Sequence, residues 1–412
     1  EEKITESAVR LLTTRYLLGL FDGSEYDKIP YSVVECKEHI DEALKMARKS
    51  CVLLKNDGVL PIDKTKVNTI GVIGPNADSR AALIGNYHGT SSEYITVLEG
   101  IREEAGDDVR ILYSQGCDLY KDKVENLAWD QDRISEAVIT AENSDVVILC
   151  VGLNETLEGE EGDTGNSDAS GDKVDLHLPK VQEELIEKVT AVGKPTIVVL
   201  MAGSAIDLNY AQDNCNGILL AWYPGARGGR AIADLLFGKE SPSGKLPITF
   251  YKDLEGMPEF TDYSMKNRTY RYMEKEALYP FGYGLTYSDT CVTEAEVVGE
   301  VSAESDIMLK ATVKNNGTVD TDEVVQVYIK DLDSPLAVRN YSLCGFKRVS
   351  LKAGEEKSVE FTISNKAMNI VDEDGNRYIA GKHFRLFAGV SQPDTRSAEL
   401  TGHKPAEIEI AL

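Results

Sequence analysis

"DVVILCVGLNETLEGEEGD", residues 145–163, is the stretch on which the reading of the chain turns. Its first half, "DVVILCVGL" (145–153), is a short apolar run rich in Val and Ile, the pattern of a strand buried on both faces. Its second half opens "ETLEGEEGDTGNSDASGD" (155–172), which has no aliphatic side chain larger than alanine after Leu157. That stretch holds Glu155, Glu158, Glu160, Glu161, Asp163, Asp168 and Asp172 among four glycines. A buried strand therefore runs straight into a long acidic loop.

The same kind of run recurs on both sides: "NTIGVIGP" (68–75), "PTIVVLMAG" (195–203) and "GILLAWYPG" (217–225). Helical patterns lie near 133–143, 180–192 and 227–237. Short apolar strands separated by helices predict a mainly parallel sheet with helices on both faces, an α/β/α sandwich. Upstream, 3–20 reads as one or two amphipathic helices closed by "FDGS", and apolar spacing predicts a second helix over about 37–55. From about 290 the period becomes two, as in "DIMLKATVKNNGTVDTDEVVQVYIKD" and "EKSVEFTIS", with NNG, KAGE and EDGN turns between. That is an all-β sandwich pattern, and "YPFGYGLTYSDT" (279–290) connects the two domains.

At 412 residues the chain is expected to form two or three domains, and 42% hydrophobic residues with 19 tyrosines suffice for real cores. A formal charge of −25 argues against nucleic-acid or anionic-membrane partners, which need basic surface. No stretch approaches a membrane span. Seven cysteines (36, 51, 117, 150, 215, 291 and 344), odd in number and without a CxxC pair, fit buried free thiols of a reducing compartment.

The acidic loop, residues 154–178, follows the carboxyl end of a parallel strand, where open α/β sheets place ligand sites. At roughly 25 residues it is longer than a plain connection. Three readings fit it. It is a solvated acidic surface; or a Ca²⁺ site using Asp163, Asn166, Asp168 and Asp172, without EF-hand spacing; or it carries a general acid/base carboxylate toward a substrate held elsewhere. Other motifs are weaker. "GVIGPNADS" (71–79) lacks GxGxxG spacing, "MAGSA" (201–205) is not a nucleophile elbow, and "GARGGR" (225–230) reads as a strand-to-helix turn. His88 and His177 have no second histidine at ligand spacing, so no zinc site is expected.

Taken in order, several segments add a resemblance. They include "ARKSCVLLKNDGVLPI" (47–62), "LIGNYHGTSSEYITVLEGI" (83–101), "VGLNETLEGEEGD" (151–163), "AWYPGARGGRAIADLLFG" (221–238), "SGKLPITF" (243–250) and "NRTYRYMEKEALYPFGYGLTYS" (267–288). Together they resemble the C-terminal part of a glycoside hydrolase family 3 enzyme, of the β-glucosidase/β-xylosidase kind. The resemblance implies three parts: residues 1–30 as the closing helix and linker of a (β/α)8 barrel, 31–287 as an α/β sandwich domain, and 288–412 as a fibronectin-type-III-like domain.

It further implies a retaining, exo-acting β-glycosidase that hydrolyses terminal non-reducing β-D-glucosyl or β-D-xylosyl residues without a cofactor or metal. An Asp on the barrel is the family's nucleophile, and a Glu from the sandwich domain is the acid/base. In a retaining enzyme the two carboxyls stand about 5–5.5 Å apart. Laying the family's (I/L)-E-x-E-G-x-D pattern on "LEGEEGD" (157–163) puts the acid/base at Glu160, although Glu161 stands where the family has Gly. Members that place the acid one residue nearer the Asp would select Glu161, and Glu158 ranks behind both. Neighbouring carboxylates raise one member's pKa and so keep it protonated until it donates. Asp163 shapes the loop. Tyr87 in "GNYHG" matches an aromatic that leans over the bound sugar, with a half-buried loop tyrosine as the alternative. Arg268 and Arg271 are expected as interdomain ion-pair partners without a catalytic role.

The family's SDW-like nucleophile segment is missing, since neither Trp129 nor Trp222 lies in one. The expectation is therefore that the barrel is a separate chain or another fragment, and that the chain is inactive without it. The expected partners are β-glucoside or β-xyloside oligosaccharides and that barrel segment, with a homodimer left open. The alternative is a non-catalytic carbohydrate-binding or interaction module that reuses these domains. The free cysteines and the lack of a signal favour the cytoplasm of a bacterium, while a trimmed N-terminus would have removed any signal.

Overall fold

The computed structural model describes residues 1–86, 88–121, 129, 132–160 and 173–412. They form two units, Glu1–Ala43 and Leu44–Leu412. In the first unit no residue of α1 (Glu2–Leu17) is buried, and Ile4, Val9, Leu11, Leu12, Tyr16 and Leu17 all stand exposed. A turn at Glu25–Lys28 follows. The Ser24 hydroxyl accepts the Tyr26 N–H, and the Ser24 N–H donates to the Asp27 carboxylate. Helix α2 (Lys37–Ser50) begins in this unit and ends in the second.

The second unit opens with strands β1 (Val52–Asn56), β2 (Thr69–Ile73), β3 (Arg110–Ser114), β4 (Val146–Gly152), β5 (Thr196–Met201) and β6 (Gly217–Leu220). Their spatial order is β1-β6-β5-β4-β2-β3, parallel from β6 through β3, with β1 antiparallel at the edge. Helices α3 (Ala81–Ile84), α4 (Val97–Ala105), α5 (Asp132–Glu142), α6 (Lys180–Thr190), α7 (Asn209–Asn214) and α8 (Gly228–Leu236) fill the connections. Strand β4 explains its own composition, because every one of its residues is buried. Val147, Leu149 and Val151 enter one core with Ala137, Leu185 and Val189 of α5 and α6. Ile148 and Cys150 enter the other with Ile101 of α4 and Leu235 of α8. A strand buried on both faces has no polar positions to alternate, so it reads as a continuous apolar run. Each such Val, Ile or Leu contributes roughly 1.5–3 kcal/mol by leaving water.

Two boundaries differ from the sequence reading. The helix expected over 37–55 stops at Ser50, and Val52–Asn56 becomes edge strand β1. Cys51 through Leu54 are each at most 1% exposed, and one stripe of a helix cannot bury four consecutive side chains. Strand β3 has no apolar run to announce it, because as an edge strand it carries the exposed Arg110 and Tyr113 and the partly exposed Ile111 and Leu112.

The all-β texture resolves into β7 (Thr290–Val298), β8 (Ile307–Asn315), β9 (Thr321–Asp331), β10 (Ser342–Leu351), β11 (Glu356–Ile363), β12 (Asn369–Val371), β13 (Arg377–Ile379), β14 (His383–Gly389) and β15 (Ala406–Ala411). A sheet in the order β10-β9-β14-β15 faces one in the order β11-β8-β7, and their inward residues, among them Leu309, Val325, Phe361 and Leu386, share one core. The chain is thus an α/β sandwich domain followed by an antiparallel β sandwich.

Residues 279–290 weld the two domains. Phe281 stacks on Tyr270 at 4.3 Å and meets the edge of Tyr328, while Tyr279 and Tyr283 stack at 5.8 Å on the α/β side. Lys245 and Glu323 pair across the seam at 2.7 Å, with side chains only 9% and 2% exposed. The Thr290 hydroxyl also donates to Glu323. Lys49 bridges to Asp322 at 2.6 Å, and Arg339 pairs with Glu274 at 3.2 Å. Arg268 instead donates to the backbone carbonyls of Pro258 and Glu259, inside its own domain, so the ion pair expected of it is made by other residues. Arg271 meets the sandwich through its backbone, its carbonyl accepting the Asn340 N–H. All seven cysteines are free thiols, five of them buried.

Candidate functional site

Past their carboxyl ends the parallel strands keep their hydrogen-bonded neighbours for a residue or two. Asn76 N–H donates to the Cys150 carbonyl, Leu153 N–H to Met201, and Ala221 N–H to Leu200. The loops after β2, β4, β5 and β6 therefore leave side by side, at the edge where the strand order reverses between β4 and β2. Gly152 makes the β4 exit feasible. Its φ is +142°, and a Cβ there would sit 1.9 Å from the Met201 carbonyl oxygen.

The first residues of the acidic loop form a tight turn. The Asn154 carbonyl accepts the N–H groups of Leu157 and Glu158, both at 3.0 Å. Its side-chain oxygen accepts the Thr156 N–H at 2.9 Å and hydroxyl at 2.7 Å. Leu157, 7% exposed, drops into the core beneath. This turn delivers Glu158 to two donors: its Oε2 accepts the Gly203 N–H at 2.8 Å and the Tyr223 hydroxyl at 2.7 Å. A Cβ at Gly203 would crowd this pair, lying 3.1 Å from the Tyr223 ring and 3.3 Å from Glu158 Oε2. Burial and then the Glu158 charge hold the Tyr223 phenol far above its ordinary value, so its O–H remains a donor.

On the returning limb of the loop, Lys173 donates from Nζ to the Ala205 carbonyl at 2.7 Å. Burial lowers its pKa, against the pull of Glu158 and Asp175. Both limbs are thus tied to the segment following β5. Buried around this stem are three polar atoms without a hydrogen-bond partner among the described residues: Asn76 Oδ1, Glu155 Oε2 and Ser204 Oγ.

Glu160 stands two residues beyond the anchored Glu158 and is exposed. Glu158 is engaged as an acceptor by two donors at the stem. Glu161, Tyr87, and the Asp163, Asn166, Asp168 and Asp172 of the calcium reading lie outside the described residues. Among the described residues no three His, Cys, Asp or Glu side chains assemble as a metal site. His177 is held by Glu183, Nδ1 to Oε1 at 2.9 Å. Among the described residues no helix is long and apolar enough to cross a membrane.

Sequence reasoning passed over Tyr223, Gly203 and Lys173: it took Tyr223 as part of the apolar run "GILLAWYPG" and set "MAGSA" aside as no nucleophile elbow. The available signal was positional: both segments follow strands on the same side of β4, β5 beside it and β6 one further out, so their first loop residues leave the sheet next to the loop that leaves β4.

Comparison with known proteins gives two domain matches. Residues 51–287 match the glycosyl hydrolase family 3 C-terminal domain, and residues 323–392 match a fibronectin type III-like domain. A β-xylosidase of Formosa agariphila is 35% identical over 415 residues, which cover 97% of this chain and 55% of that protein. A periplasmic β-glucosidase of Salmonella typhimurium is 31% identical, covering 94% of this chain and 54% of its own length. The solved structure of a β-glucosidase from Erythrobacter marinus superposes with a TM-score of 0.78 at 31% identity, over 92% of this chain and 51% of that one. The chain spans about half the length of the curated relatives it matches.

Proposed function

The chain belongs to glycosyl hydrolase family 3, and from that premise we propose that it is the carboxyl-terminal half of a retaining β-glycosidase acting on terminal β-D-xylosyl or β-D-glucosyl residues. Glu160 is its general acid/base, with Glu161 as the alternative position, and the nucleophilic Asp comes from a barrel segment outside these residues. One observation carries the reading. The acidic loop leaves the sheet at the strand-order reversal on a stem pinned by Glu158 to Gly203 and Tyr223, and the exposed Glu160 follows that anchor by two residues.

The chemistry follows from that placement. In the first step Glu160 protonates the glycosidic oxygen as the barrel carboxylate attacks the anomeric carbon, and the aglycone leaves as an alcohol. In the second step the same residue, now a carboxylate, takes a proton from water as that water attacks the glycosyl-enzyme. The two carboxyls must flank one bond at about 5–5.5 Å. A group on one domain that meets a nucleophile on another therefore needs a stem that does not wander, which the Glu158 contacts provide. The exposed apolar face of α1 supports a covering segment for the first unit, and we assign that role to the same barrel.

The test compares hydrolysis of aryl β-xyloside and aryl β-glucoside by this chain alone and by the chain joined to, or mixed with, a family barrel. Turnover only when the barrel is present, abolished by loss of the barrel Asp, supports the reading. A folded, barrel-complemented sample that hydrolyses neither glycoside overturns it.

A further inference from the structure

A cavity of about 360 Å³ opens between helix α9 (Thr269–Tyr272) and the β sandwich, and none of the described residues of the acidic loop lines it. Three cations belong to its wall: Arg271 of α9, Lys366 of the turn at Asn365–Met368, and Arg377 of β13. All three are exposed, and among the described residues none of their side chains makes an ion pair or a hydrogen bond. The chain has 69 acidic residues for 44 Lys and Arg, so carboxylates to meet them are plentiful. Asp331 is the one acid among the described lining residues, and its Oδ1 is engaged by the N–H groups of Asp333 at 2.9 Å and Ser334 at 3.0 Å.

These cations are brought together by the fold and not by a run of basic sequence. Asn340 clamps α9, its N–H donating to the Arg271 carbonyl at 3.0 Å and its Nδ2 to the carbonyls of Tyr270 and Met273 at 2.8 and 3.0 Å. Ser364 caps the second turn by accepting the Lys366 N–H. In the β12–β13 hairpin Arg377 stands directly across from Val371, so the two side chains share one face, and Val371 lines the same cavity. Like charges gathered without a counter-ion repel one another, and an anion in the cavity offsets that repulsion for all three at once.

The rest of the wall narrows the class of anion. Ser342 and Asn369 are half-buried there, and their side chains hold no hydrogen bond among the described residues. Leu336, Leu343 and Val371 add apolar surface. An inorganic ion would use the cations and leave those groups and most of the volume idle, whereas a ring bearing a carboxylate and hydroxyls uses all of them. We propose that this cavity binds a carboxylate-bearing sugar, a uronic acid unit, with its carboxylate held by Arg271, Lys366 and Arg377. That the ligand is an anion rests on the charges alone; that it is a sugar rests also on the proposed glycosidase function. Binding is therefore measured without hydrolysis, and a chain that proves inactive with a barrel can still pass or fail it.

The chain is titrated at low salt with D-glucuronate, with D-glucose and with inorganic phosphate, followed by calorimetry, with saturation-transfer NMR for the two sugars. Saturable glucuronate binding is expected, weakening as salt is added, with glucose and phosphate each bound at least about tenfold more weakly. Arg271→Gln, Lys366→Gln and Arg377→Gln each remove one charge without breaking an ion pair. Each should weaken glucuronate binding about fivefold and leave the melting temperature unchanged. Absence of glucuronate binding at millimolar concentration overturns the proposal. So does glucose or phosphate binding as tightly as glucuronate, or glucuronate binding that none of the three substitutions weakens.

Discussion

The Glu158 carboxylate and the Tyr223 hydroxyl meet at 2.7 Å, joining the loop that follows β4 to the one that follows β6. Between them, Gly203 in the loop after β5 gives the same carboxylate oxygen an N–H at 2.8 Å. Three neighbouring strands thus converge on one oxygen, two residues before the carboxylate assigned to catalysis.

Tyr223 holds Glu158, two residues before the proposed acid/base, so on the proposed function Tyr223→Phe should lower kcat of the barrel-complemented enzyme about tenfold while KM changes little. Steady-state kinetics on an aryl glycoside checks this. An equal rise in KM would assign the tyrosine to substrate binding instead.

Gly203→Ala places a methyl 3.3 Å from Glu158 Oε2 and 3.1 Å from the Tyr223 ring. The expected outcome is about 1–3 kcal/mol of destabilisation by overpacking, read from denaturant unfolding. Activity should fall further than stability predicts, since the displaced group is the anchor of the loop.

Lys245 and Glu323 form a nearly dry pair between the domains. Glu323→Ala leaves an unpaired ammonium and should destabilise by about 3–5 kcal/mol, whereas Lys245→Met with Glu323→Leu should recover most of that loss. Thermal unfolding of the single and double variants distinguishes a seam that needs the charges from one that needs only the packing.

Asp322 also faces the seam. Burial pushes its pKa upward, but the hydrogen bonds from Lys49 and Ser350 and the charges of Lys49 and Arg348 outweigh burial and hold it below the ordinary value of 3.8. A depressed folded-state pKa gives stability that is present above the unfolded value and is lost as pH falls through the folded one. Unfolding followed downward from about pH 4 should therefore show acid destabilisation that is smaller in Asp322→Asn, once the variant's own loss at neutral pH is subtracted.

Much of the architecture was legible because its physics is local. The four apolar runs became β2, β4, β5 and β6, and the period-two texture after 290 became the β sandwich. What escaped was whatever depended on neighbours distant in sequence. Residues 52–56 look like the end of a helix until β6 is present to pair with them. Edge strand β3 buries only one of its five side chains and so carries little pattern. At the site, the family pattern on "LEGEEGD" set Glu160 ahead of Glu158 but gave Glu158 no role of its own. Gly203 and Tyr223, which follow other strands, show Glu158 to be an anchor. Arg268, expected at the domain seam, turned to carbonyls of its own loop.

The most direct test of the account is azide rescue of the barrel-complemented enzyme on an aryl β-glycoside with a good leaving group. Glu160→Ala should stall at the glycosyl-enzyme. Azide, which needs no general base, should then restore turnover and release the β-glycosyl azide, with the starting configuration retained. Glu161→Ala should hydrolyse the substrate without azide and form no azide adduct. Rescue of Glu161→Ala together with unimpaired hydrolysis by Glu160→Ala would contradict the assignment of Glu160 as the acid/base.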